Sequence, residues 1–119
     1  MPPTTAPFRQ DGLRPGLLLG EALAPEALAR LCRRFRVRRL DLFGSAARGG
    51  FDPARSDLDL LVAFEPMAPA AYADAYFGLR AALEEATGRP VDLLTEAALE
   101  NPYLRRRVEA ERRLLFEEP

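Results

Sequence analysis

Residues 57 to 64, Asp-Leu-Asp-Leu-Leu-Val-Ala-Phe, set two carboxylates at the head of an almost unbroken apolar run. A run this short and this rich in Leu, Val and Phe predicts a strand from Asp57 to about Phe64, nearly buried on both faces. Such a strand cannot stand alone, so the chain must fold around it as a small sheet with helices packed against it, one α+β domain. The acids are then the difficulty. Anions at the mouth of a core are tolerated only where something positive meets them.

The rest of the chain supplies the partners of that strand. Residues 1 to about 20 mix Pro, Thr and Gly with little periodicity and predict an irregular lead, with Gly-Leu-Leu-Leu-Gly at 16 to 20 as a short packed segment; the domain then occupies 21 to 119. Pro25 opens a helix whose Leu28, Leu31, Cys32 and Phe35 share one apolar face, leaving Arg30, Arg33 and Arg34 outside. Residues 37 to 43 predict a strand with Leu40 and Leu42 on one face and Val37 and Phe43 on the other, beside Arg39 and Asp41. After Gly44 come one helical turn at 45 to 49 and a loop at 50 to 56. Beyond Pro66 and Pro69, residues Tyr72, Ala75, Tyr76, Leu79, Ala82 and Leu83 mark a helix that stops at Gly88. Val91 to Thr95 is a third strand, Thr95 is placed to cap a short helix through Glu100, and Tyr103 onward is a last helix with Leu104 and Val108 inside. Residues 113 to 117 suit a final strand.

Composition removes many chemistries. All 17 basic residues are arginine, histidine is absent and Cys32 is the single cysteine. Histidine triads, imidazole bases, lysine nucleophiles and the Walker lysine are therefore excluded, as are the usual structural zinc sites and any internal disulfide. The formal net charge of −1 argues against nucleic-acid binding by the whole domain. The arginine runs at 33 to 39 and 105 to 107 read as solvated helix or strand faces. No stretch is long and apolar enough for a membrane span, and the first residues lack the order of a secretory signal, which places the protein in the cytoplasm. What remains is chemistry on carboxylates, hydroxyls, arginine, backbone amides and bound metal.

Residues i and i+2 of a strand point the same way, roughly 6.5 Å apart, so Asp57 and Asp59 can converge on one cation while Leu58 and Leu60 enter the core. Asp92 sits between Val91 and Leu93 of the third strand, on the opposite face from them. Two adjacent carboxylates raise one another's pKa, whereas a divalent ion holds both as anions; an all-oxygen set selects magnesium, or manganese, over zinc or copper. Three carboxylates of this kind suit two-metal phosphoryl or nucleotidyl transfer. Gly44 and Ser45 add backbone N–H groups and a hydroxyl at a turn, fitted to phosphate oxygens, with Arg48 either on the same phosphates or bracing the loop. Taken singly, Asp57 is also what a strand end carries and Asp92 what a solvated edge carries. Their joint occurrence with Gly44-Ser45, about ten residues ahead of Ser56-Asp57-Leu58-Asp59, favours a site.

The stretches "LFGSAARG", "SDLDLLV", "GRPVDLLT" and "NPYLRRRVEAERRLLFE" resemble, in order and spacing, the minimal nucleotidyltransferases of the DNA polymerase beta superfamily. The resemblance covers Leu23 to Phe116 and implies the nucleotidyltransferase, polymerase beta palm-like fold with a small mixed sheet. It implies ATP as substrate with magnesium, two ions, on Asp57, Asp59 and Asp92, the last as third ligand or base. It implies Gly44, Ser45, Arg48 and Ser56 on the nucleotide. It further implies a partner, a HEPN-domain ribonuclease toxin, on a tyrosine of which the protein places AMP as its antitoxin. An antitoxin acting by occlusion alone, and a small-molecule nucleotidyltransferase, are the alternatives. Oligomeric state and the role of residues 1 to 20 stay open.

Overall fold

The computed structural model describes residues 24–44 and 58–119. The lead, the turn at 45 to 49 and the loop at 50 to 56 lie outside the described residues, and with them Ser45, Arg48, Ser56 and Asp57. The order of elements is α1 (Pro25–Arg34), β1 (Val37–Phe43), β2 (Leu58–Phe64), α2 (Pro69–Thr87), β3 (Val91–Thr95), a 3-10 helix (Glu96–Glu100), α3 (Pro102–Glu111) and β4 (Arg113–Glu117). The four strands form one mixed sheet in the order β3-β2-β1-β4. β1 runs antiparallel to both β2 and β4, while β2 and β3 are parallel. The apolar run that opened the sequence is thus a central strand, and residues 113 to 117 do form the fourth one.

Both faces of the sheet are covered. On one, Leu40, Leu42, Leu58, Leu60 and Val62 pack against Leu28 and Cys32 of α1 and Ala75, Leu79 and Leu83 of α2. On the other, Phe43 and Leu61 meet Val108 of α3, with Leu99 and Leu104 alongside. This two-sided cover is why β2 reads as continuous hydrophobicity rather than alternation. Each fully buried Leu contributes about 2 kcal/mol of transfer free energy.

Local chemistry sets the boundaries. Pro25, Pro69 and Pro102 each stand in the first turn of a helix, where a missing N–H costs nothing. Pro69 is therefore a helix start rather than a breaker. α2 ends at Gly88 in the left-handed conformation, φ 68°, as its glycine predicted. α3 begins one residue before Tyr103, because the Asn101 side chain accepts hydrogen bonds from the N–H groups of Tyr103 and Leu104, at 2.9 and 3.3 Å. Thr95 precedes the 3-10 helix but its side chain makes no capping bond.

One expectation fails. Val37 belongs to the same core as Leu40 and Leu42, not to the face of Phe43. The pairing of β1 with β2 shifts register between Val37 and Arg39, and this irregularity turns Val37 back to the α1 side. Just before it, Arg36 takes φ 61°, a left-handed turn usually given to glycine. Its carbonyl accepts the Glu65 N–H at 3.0 Å, closing the turn onto the end of β2.

Candidate active site

One end of the sheet gathers the C-terminus of β1, the N-termini of β2 and β3, and the junction of α3 with β4. Asp59, second residue of β2, pairs in register with Asp92, second residue of β3. In a parallel ladder register partners share a face, so both carboxylates stand on the side away from α1 and α2. Asp59 is half-buried and Asp92 exposed, and Leu58, Val91 and Leu93 beside them are buried. Across the other ladder Asp59 faces Phe43, and Gly44 follows.

Gly44 is buried and takes φ 77°. A Cβ built there would fall within van der Waals contact of the Asp59 carboxylate. Glycine is therefore demanded twice, by backbone conformation and by the closeness of Asp59. The Gly44 N–H donates to Glu111 Oε1 at 3.1 Å. Glu111 closes α3, and Arg107 Nε lies 3.4 Å from the same carboxylate.

Asp92 is held by its flanks rather than by its own side chain. The Val91 N–H donates to Glu84 Oε2 at 3.0 Å, and the Tyr76 hydroxyl donates to the Leu93 carbonyl at 2.6 Å. β3 is an edge strand, and these two side chains from α2 occupy backbone groups that would otherwise be open. Leu58 N–H, donating to the Pro90 carbonyl at 3.0 Å, ties the heads of β2 and β3 together.

Of the residues expected from sequence, the structure thus brings Gly44, Asp59 and Asp92 to one place; Ser45, Arg48, Ser56 and Asp57 lie outside the described residues. Among the described residues no three carboxylates, thiols or imidazoles converge on a point able to hold a metal ion. Glu84 and Glu111 were not singled out by sequence, and Tyr76 was read only as part of a helix face. Their contacts span 7 to 67 positions, and no local pattern announces them.

A second acid on the same face is of a different kind. Asp41 is 1% exposed and accepts from Arg39 Nε at 2.9 Å, Arg39 Nη2 at 3.2 Å and Arg112 Nη2 at 2.7 Å. The hydrogen bond to Asp41 raises the Arg39 guanidinium above its already high pKa, against the opposing pull of desolvation. This acid is neutralised by its own chain.

Hard oxygen donors on adjacent strands beside a glycine turn are the class of arrangement that can take a divalent ion and phosphate. The comparisons give the class a family. Residues 25–115 match the model of the nucleotidyltransferase domain, and the chain belongs to that family. It is 34% identical over 76 residues to "Putative protein adenylyltransferase MJ1379" of Methanocaldococcus jannaschii, covering 64% of this chain and 74% of the relative. A solved structure described as a "putative minimal nucleotidyltransferase" is 40% identical, with TM-score 0.60, over 75% of this chain and 86% of that one. The fold is shared too with a complex of tri-AMPylated Shewanella oneidensis HEPN toxin with MNT antitoxin, at TM-score 0.54 and 19% identity over 88% of this chain and 74% of that one. The α+β nucleotidyltransferase fold expected from sequence is the fold found, and the chain is a nucleotidyltransferase by family. Among the described residues no helix is long and apolar enough to cross a membrane.

Proposed function

We propose that this protein transfers AMP from ATP to a tyrosine of a partner HEPN-type toxin, in a magnesium-dependent reaction, and acts as that toxin's antitoxin. The observation that carries the reading is the in-register pair Asp59 and Asp92 beside the Gly44 turn. Family membership supports its class of reaction, and the relative named "Putative protein adenylyltransferase MJ1379", with the fold shared with the AMPylated toxin complex, supports its acceptor.

The residues present fit the cation. The donors are carboxylates only, and the space where a Gly44 side chain would stand is taken by the Asp59 carboxylate, which keeps that acid against the turn. Asp57, Asp59 and Asp92 would hold magnesium, which when bound neutralises charge on the triphosphate. Ser45, Arg48 and Ser56 take the phosphate oxygens where Gly44 lets them approach the backbone, and Asp92 accepts the proton of the acceptor hydroxyl. The tyrosine oxygen forms a bond to the α-phosphorus, the bond from that phosphorus to the bridging oxygen breaks, and pyrophosphate leaves with the electron pair. The protein's contribution is alignment and charge placement rather than a covalent intermediate.

The test is mass spectrometry of the toxin after incubation with this protein, ATP and magnesium. A gain of one or more AMP units on a tyrosine is expected; an unmodified toxin refutes the reading. Neutralisation that survives the double variant Asp57→Ala, Asp59→Ala would assign the antitoxin effect to occlusion instead.

A further inference from the structure

Glu111 is placed against the ordinary preferences of a helix. It is the last residue of α3, where the helix dipole disfavours an anion, and no basic residue accompanies it in that last turn. It is nevertheless mostly buried, its side chain 16% exposed. It also stands at the end of the sheet that already carries Asp59 and Asp92. Electrostatics alone would remove it, so its contacts must repay the placement.

The contact that does so is with the Gly44 N–H. The ladder of β1 closes at Phe43, and Gly44 is buried, so its amide would lack a partner inside the protein. The carboxylate supplies one at 3.1 Å, a charge-assisted bond stronger than a neutral one. Arg107, one turn earlier on α3, lies 3.4 Å from the same carboxylate and 5.9 Å from the centre of the Phe43 ring. The Arg107 guanidinium over the Phe43 ring and the Glu111 carboxylate on the Gly44 amide thus hold Phe43 and Gly44 from the α3 side.

We propose that Glu111 is a positioning residue of the nucleotide site, fixing the Gly44 peptide plane where β1 ends beside Asp59. The inference rests on the nucleotide-site reading above and adds to it a residue 67 positions away, on a different element. In this role Glu111 serves the backbone of the turn rather than the nucleotide or the acceptor. It acts through Gly44, whose left-handed φ leaves no intrinsic preference to hold the turn in place.

Glu111→Ala and Glu111→Gln, each checked for folding by thermal melting, separate this role from plain structure. The glutamine keeps an oxygen acceptor for the Gly44 N–H; the alanine does not. Two quantities are read: hydrogen exchange at the Gly44 amide by NMR, and the affinity for AMP-PNP with magnesium by calorimetry. Alanine is expected to speed that exchange and to weaken nucleotide binding by about tenfold, the scale of outer supporting contacts, while glutamine restores most of both. Unchanged Gly44 exchange or unchanged affinity in a folded Ala variant overturns the inference alone. So does tighter binding, which would make Glu111 a competitor of phosphate, or equal loss in both variants. Wild-type protein that binds no AMP-PNP overturns the nucleotide-site reading itself, and this inference with it.

Discussion

Two acidic clusters lie on one face of the same sheet, and the chain treats them in opposite ways. Asp41, at the middle of the sheet, is sealed from water and receives three hydrogen bonds from two guanidinium groups. Asp59 and Asp92, at the end of the sheet, stand side by side as like charges, one half-buried and one exposed. An acid that brings its own cations is complete when the chain folds. A pair of acids set next to each other gains most when a cation arrives from outside. In the proposed reading the contrast separates stability from function across three adjacent strands.

The largest effect that would sharpen it is on stability. Asp41→Ala strands two guanidinium groups around a buried gap. Because Arg39 and Arg112 keep side-chain exposures of 38% and 27%, the loss should fall at the low end for broken buried pairs, about 3 kcal/mol in denaturant unfolding. AMP transfer measured below the melting transition should persist. Asp59→Asn, which keeps the shape of the side chain and one oxygen acceptor, should do the reverse and change stability by about 1 kcal/mol or less while transfer is lost. If Asp41→Ala abolishes transfer in folded protein, the division between the clusters is false.

Much of this was legible before the structure. That Gly44, Asp59 and Asp92 come to one place was legible from period and spacing, because strand alternation fixes which side chains share a face. The helix ends at Pro25 and Gly88 were equally local in origin. Val37 was misplaced because alternation was extended through a register shift that only the partner strand imposes. The left-handed turn at Arg36 gave no signal, since no glycine marks it. The roles of Glu111, Glu84 and Tyr76 were missed for a related reason: each serves a backbone group of a distant element, and backbone groups carry no sequence identity. Arg39 and Asp41 were placed on one face, but Arg112, which completes their cluster, is separated from Asp41 by 71 positions.

A smaller effect probes the boundary of the acid pair. Gly44→Ala must adopt φ 77° and push against the Asp59 carboxylate. It should cost about 1 kcal/mol of stability from the backbone conformation, yet lower nucleotide affinity disproportionately because Asp59 is displaced. Affinity and stability falling together in strict proportion would contradict the closeness argued for this turn.

The smallest effect lies on the opposite face, where function is not expected. Burial raises the Cys32 thiol from 9.0 to about 12, so the folded state holds its proton where the unfolded state releases it. Its contribution is fully present below pH 9 and is lost as pH rises toward 12, amounting to about 1 kcal/mol by pH 10. Unfolding measured at pH 8 and pH 10 should show wild type losing that much more than Cys32→Ala. Equal losses would place the thiol in contact with water.

The claim on which the account turns is that Asp59 and Asp92 meet an external divalent cation together with a nucleotide. Manganese binding, followed by electron paramagnetic resonance in the presence of AMP-PNP, tests it without any acceptor protein. The account predicts tightly bound manganese in the wild type, and its loss in Asp59→Asn and in Asp92→Asn, each still folded. Manganese that stays free with the wild type, or that binds both variants as tightly, would contradict it.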